Sequence, residues 1–132
     1  MRVYIAAPFS KAEDVRSMGE YFLENRVVST SEWINFKAGH SDPKYCATLD
    51  LFCIEQADAL VLLNPTEWAG IGRGGRHFES GYALALGKPV IVCGELSSVF
   101  HHLHGKVWHC PSMNPDDILH MVKTLLMNQC SR

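Results

Sequence analysis

Several features that this sequence lacks narrow what it can be. It has no excess of positive charge: 12 lysines and arginines stand against 14 aspartates and glutamates, so a nucleic-acid backbone is not expected as a partner. It has no apolar run long enough to cross a membrane, and the opening Val3-Tyr4-Ile5-Ala6-Ala7-Pro8 is too short for a secretion signal. It has no Cys-x-x-Cys pair. Its five cysteines (Cys46, Cys53, Cys93, Cys110 and Cys130) are odd in number and several fall inside apolar patterns, which reads as reduced, buried thiols in a cytosolic protein. Internal repeats, linkers and low-complexity stretches are missing too. The 132 residues, 47% of them hydrophobic, therefore read as one domain spanning 1–132 with enough apolar material for a core.

What is present is an alternation of short apolar runs and helical patterns. Residues 3–6 form an apolar run halted by Pro8, which suits a central strand. Ser10-Lys11-Ala12-Glu13 has the form of a capping box and sets a helix start at Ser10, after which Val15, Met18, Phe22 and Leu23 recur at helical spacing. Asn25 or Arg26 closes that helix. Residues 27–30 read as a second strand, and residues 32–40 as an irregular loop carrying Trp33 and Phe36. Asp42-Pro43 opens a helix running to about Gln56, with Cys46, Leu49, Cys53 and Ile54 inward. Residues 59–63 are apolar throughout, as a strand covered on both faces requires. A glycine-rich stretch then leads into a short helix ended by Gly87, and Pro89 precedes the apolar strand Val90-Ile91-Val92-Cys93. A loop with Ser97, Ser98 and Phe100, a short edge strand at 107–109 and a helix from Asn114-Pro115 complete the chain.

This alternation predicts an α/β fold, a doubly wound parallel five-stranded sheet with helices on both faces, because parallel neighbours need right-handed crossovers. The expected strand order is 2-1-3-4-5. In such sheets ligands bind beyond the carboxyl ends of the strands where the order reverses, here between strands 1 and 3. Residues 7–10, 64–75 and 94–100 should converge there. Ala7, Pro8 and Phe9 from the first segment and Gly72, Arg73 and Gly75 from the second are candidate binding residues.

Glu79 falls in the expected first turn of the helix after the glycines, beside Ser80, Gly81 and Ala83, whose small size leaves room for a ligand. An acid at that place can be a nucleophile or only a complement to the helix dipole. Asp50 lies on the apolar face of its helix, where an unpaired carboxylate is costly, so it calls for a partner or a chemical task. Burial would raise its pKa and make it a proton donor. Asp58, at a helix-to-strand junction, reads as a turn residue bonding local amides. Gly70-Ile71-Gly72-Arg73-Gly74-Gly75 matches G-x-G-x-x-G, but it follows the third strand at a distance, which favours backbone approach to a sugar or phosphate over a dinucleotide. Arg73 and Arg76 would suit a phosphate, or point to water. His101-His102-Leu103-His104 with His109-Cys110 matches no common zinc spacing, so no metal is expected. His101 reads instead as a contact to a ligand or a neighbouring subunit.

Together these residues resemble the nucleoside 2-deoxyribosyltransferase family, including its nucleotide N-glycosidase branch. Glu79-Ser80-Gly81-Tyr82-Ala83 followed by Gly87-Lys88-Pro89-Val90 is the most specific part. Tyr4 is similar to the family's tyrosine beside the nucleophile, and Asp50 to its active-site aspartate. The resemblance implies a flavodoxin-like fold and a small-molecule nucleoside or nucleotide as substrate, with no metal or redox cofactor. It also implies a homodimer or higher homo-oligomer whose neighbouring subunit lends Ser98 or His101 to each site. Glu79 would attack C1′, Asp50 would assist departure of the base, and Tyr4 would position Glu79. Phe9, Trp33 and Phe36 would stack the base, or pack the loop onto the sheet. Six residues before the glutamate, the family's transferases carry an aspartate facing the sugar 5′-hydroxyl, and its monophosphate hydrolases a small polar residue facing phosphate. This chain has Arg73 there, and a cation favours phosphate. It also lacks the C-terminal asparagine arrangement of the transferases. Hydrolysis of a 5′-monophosphate is thus expected ahead of base exchange between free deoxynucleosides. A nucleotide-binding module without turnover and a flavodoxin-like cofactor binder are the alternatives from other classes.

Overall fold

The computed structural model describes residues 1–36 and 42–130. Its centre is strand β3 (Ala59–Asn64), in which every residue is buried. A strand with no exposed face belongs in the middle of a sheet covered by helices on both sides. On one flank β1 (Arg2–Ala6) runs parallel to it, Val3 beside Ala59 and Ala6 beside Leu62. On the other flank runs β4 (Val90–Gly94), with Leu60 beside Val90. The edges are β2 (Val28–Ser29) and β5 (Val107–Cys110), also parallel to their neighbours. The order is β2-β1-β3-β4-β5, the order expected from the sequence.

Among the described residues four α-helices cover the sheet: α1 (Ala12–Glu24), α2 (Pro43–Glu55), α3 (Gly75–Ala85) and α4 (Pro115–Cys130). α1 packs against α4, and α2 against α3. The core side chains include Val3, Ile5, Leu60, Leu62, Ile91 and Ile118, all fully buried. Each contributes roughly 1.5–3 kcal/mol relative to exposure. Among the described residues no helix is long and apolar enough to cross a membrane.

Several element ends differ from their sequence reading. Ser10 does not start α1; it lies in a 3-10 turn, Phe9–Lys11, closed by Lys11 N–H donating to the Pro8 carbonyl at 2.8 Å. The helix proper begins at Ala12, after Lys11, with no side-chain cap. Arg26, at φ 68°, turns the chain out of α1 into a second strand only two residues long. Glu32–Asn35 is a 3-10 turn and not irregular loop; residues 37–40 of that expected loop lie outside the described residues. Asp42 caps α2 as expected, accepting from Lys44 N–H at 3.2 Å. Only Cys53 and Ile54 of its four expected inward residues are buried, while Cys46 and Leu49 are half-exposed. The last turns of α2 sit on the sheet and its first turns project beyond it. Asp58 also acts differently from the expected turn residue. Its carboxylate accepts from Arg2 N–H at 2.8 Å and so ties β3 to the start of β1.

Candidate active site

The chain leaves β1 through Ala7, Pro8 and Phe9, and leaves β3 through Pro65, a 3-10 turn (Thr66–Trp68) and the glycine loop. These two exits border a cavity of about 700 Å³. Ala7, Pro8 and Phe9 line it, as do Gly72, Arg73 and Gly75, six residues drawn from the two segments expected to meet there. Trp33 and Phe36 line it as well. Trp33 is buried and its indole N–H donates to the Ile5 carbonyl at 2.9 Å, so the ring both packs the core and presents a surface to the cavity. Phe9 stands at a tilt to it, ring centres 6.4 Å apart. The glycine loop closes on Pro8: a Cβ on Gly72 would sit 3.3 Å from the Pro8 Cβ, and Gly72 has φ 86°, so only glycine serves there without strain.

Two carboxyl groups and a phenol form the polar end of the cavity. Tyr4 is fully buried on β1 and its hydroxyl donates to Glu79 Oε2. Glu79 is the fifth residue of α3, so it belongs to the second turn and not to the expected first, and it faces β1 and not the helix dipole. Burial lifts its pKa to about 7, against the opposing pull of the Tyr4 hydrogen bond. Asp50 reaches the same place from α2, and burial lifts it to about 6. The Tyr4 hydroxyl lies near enough to Asp50 to oppose that rise, but its single proton goes to Glu79, and Asp50 Oδ1 is buried without a hydrogen-bond partner. Burial and the two acids push the Tyr4 phenol far above its ordinary range, so it acts only as a donor.

Arg76 does not point to water. It is 6% exposed, and its guanidinium donates to the carbonyls of Ile71 (2.9 Å) and Trp68 (3.4 Å) and to Asn64 Oδ1 (3.3 Å), which pins the glycine loop. Its Nε has no partner, and the one ion pair among the described residues is Arg16–Glu13. Arg76 is therefore a buried cation without an anionic neighbour, and burial draws its pKa down. Arg73 is exposed and lines the cavity. Gly74 gives α3 no side-chain cap; its carbonyl accepts from the His77 and Phe78 amides, both at 3.1 Å, which leaves the amides of Gly75 and Arg76 without an intrahelical partner. Asn64 ties this loop to the next one, donating through Nδ2 to the Glu95 carbonyl (2.8 Å) and to Ser97 Oγ (2.9 Å).

The third expected segment does not reach the cavity. Ser98 and His101 line a separate one of about 570 Å³, together with His77, Ser80 and Phe100. Held by Asn64 and by Ser97 N–H donating to His101 Nδ1 (3.1 Å), residues 95–101 fold over the β4 side of α3 and away from the switch point. Sequence reasoning missed Ala47 and Leu51, which line the main cavity from α2; Ala47 lies three residues before Asp50 and four before Leu51, and that spacing was the available signal. It also missed Phe78, exposed beside Glu79. Among the described residues no three His, Cys, Asp or Glu side chains converge as the ligands of a metal would.

No family model and no curated protein matches the sequence. Solved structures do match the fold. The CMP N-glycosidase BcmB of Clostridium botulinum aligns over 94% of this chain and 99% of its own, with TM-score 0.67 and 20% identity. The 2-deoxyribosyltransferase of Leishmania mexicana aligns over 92% and 97%, with TM-score 0.67 and 16% identity. That of Bacillus psychrosaccharolyticus aligns over 90% of each chain, with TM-score 0.63 and 18% identity. This chain shares their fold over at least 90% of its length.

Proposed function

We propose that this protein belongs with the nucleoside 2-deoxyribosyltransferase-like enzymes and cleaves the N-glycosidic bond of a nucleotide, hydrolysis of a 5′-monophosphate being favoured over base exchange. The observation that carries this reading is the pairing of two half-buried carboxyl groups, Glu79 and Asp50, about one buried phenol at the switch point of the sheet. A retaining displacement at C1′ needs one ionised carboxylate and one acid. With pKa values lifted to about 7 and about 6, the pair is poised to hold one proton near neutral pH. A base presenting an acceptor to Asp50 draws that proton onto it, and the Tyr4 hydrogen bond favours the ionised form of Glu79 against its burial. Glu79 then attacks C1′, the C–N electron pair leaves with the base, and Asp50 supplies the proton. Water releases the sugar from the ester.

Preference for a 5′-phosphate is supported by the cations and free amides at one end of the cavity: Arg73, the uncompensated Arg76 and the uncapped start of α3. Phe9, Trp33 and Phe36 are assigned to the base. We also assign residues 1–132 to one domain, the protein to the cytoplasm, and the working form to a homodimer or higher homo-oligomer. Exposed Phe78, Val99 and Phe100, beside the segment carrying Ser98 and His101, support the last of these.

The test is chromatographic detection of free base from a panel of nucleosides and 5′-monophosphates, with and without an acceptor base. Base released from monophosphates alone supports the hydrolase. A new nucleoside formed only with acceptor would make the protein a transferase. Binding without turnover would make it a nucleotide-binding module. Glu79→Ala should lower turnover by about 10³-fold or more. Arg73→Ala should raise KM for monophosphates while leaving KM for nucleosides unchanged; equal effects on both would remove Arg73 from the phosphate site.

A further inference from the structure

We propose that the Tyr4 hydroxyl serves the two carboxyl groups in turn, donating to Glu79 before the sugar is transferred and to Asp50 while the sugar is held as an ester. The inference rests on the glycosidic reading above and assigns Tyr4 a second positioning role in it. The tyrosine ring cannot travel. It is fully buried on β1, its backbone in register with Leu60 of β3. The O–H bond, however, can rotate about the fixed oxygen. Two acceptors compete for that proton: Glu79, which accepts it now, and Asp50, which the hydroxyl lies near enough to influence and whose Oδ1 is buried without a partner. A buried acceptor with nothing to accept from is rare in folded proteins and calls for a partner, which another state of the site can supply.

The chemistry supplies that state. When Glu79 attacks C1′, its carboxylate becomes an ester, a neutral and weaker acceptor. In the same step Asp50 gives its proton to the departing base and becomes a carboxylate. The strong acceptor has thus moved from α3 to α2, and the Tyr4 proton follows it. Water then attacks C1′, Asp50 takes the proton of the water, and the C1′–O electron pair returns to Glu79, which accepts from Tyr4 again. The groups facing Tyr4 are Glu79 from α3 and Asp50 and Cys53 from α2. Cys53, its thiol held neutral by burial, faces Glu32 in turn, and Arg73 and Arg76 line the cavity.

Rapid-quench kinetics on the full chain separate the two steps, reading base release for the first and sugar-phosphate release for the second. Tyr4→Phe, which keeps the ring, should slow each step by about tenfold or more. It should also move the acid limb of both pH profiles to higher pH, since each carboxylate loses its donor when it must be ionised. Incorporating 3-fluorotyrosine at position 4, a stronger donor of the same shape, should move both limbs the other way. It also keeps the test available if the phenylalanine variant does not fold. A Tyr4 change that alters base release alone, leaving the second profile in place, would confine Tyr4 to Glu79 and overturn the proposal. Absence of any glycosyl-enzyme mass in the wild type would remove the glycosidic reading itself, and this inference with it.

Discussion

At the scale of single residues, the cost of the site is written in Glu79. Its folded pKa of about 7 lies above the ordinary 4.5, so the folded state binds the proton more tightly than the unfolded state does. Stability must therefore fall as pH rises through that interval. Glu79→Gln, which can still accept from Tyr4, should match the wild type near pH 4 and exceed it above pH 7, by on the order of 2–3 kcal/mol. Thermal midpoints across pH would check this, and parallel curves would mean that Glu79 is as well solvated folded as unfolded. The gain in stability should accompany loss of turnover, the expected conflict at a working site. Glu79 and Asp50 were legible in the sequence because an acid among small or apolar neighbours is conspicuous. The inward turn of Arg76 was not. Whether a loop arginine is buried depends on where Ile71, Trp68 and Asn64 place their oxygens, and no local pattern encodes that.

At the scale of elements, β4 ends against the exit of β3. A Cβ on Gly94 would fall 2.6 Å from the Asn64 carbonyl oxygen, and Gly94 has φ 100°. Gly94→Ala should cost about 2–3 kcal/mol in denaturant unfolding, since both backbone strain and a backbone clash must be relieved. A cost below about 0.5 kcal/mol would show that the two strand ends can part freely. Asp42→Ala should lose about 1 kcal/mol with the α2 cap. Strands and long helices were readable from apolar runs and periodicity. Their junctions were less so: Ser10 had the residues of a capping box, yet Pro8 commits the chain to a 3-10 turn first. Residues 95–101 carried plausible ligand-binding side chains, but Asn64 directs them to the other side of α3.

At the scale of the whole molecule, the parallel sheet followed from the alternation of strands with helices and from strand apolarity. The order 2-1-3-4-5 was one choice among those the alternation allows, and the structure has it. The surface was not legible in that way, because exposed apolar side chains look like core residues until the fold is known. Val99 is 80% exposed, Phe78 70% and Phe100 63%. Sedimentation should give a dimer or larger species, and Phe100→Asp should release monomers with a raised KM; a wild-type monomer would remove the assembly from our reading. Asn64 gives this assembly a further meaning. One amide side chain holds both the loop of the substrate cavity and the segment that carries the second cavity, so neither can shift without being felt by the other. Binding in the cavity and the proposed self-association on the other side of α3 would then be coupled, and thermodynamic linkage makes that coupling even-handed. Whatever factor self-association adds to nucleotide affinity, nucleotide must return to self-association, so the protein would read its own concentration and that of its substrate as one signal.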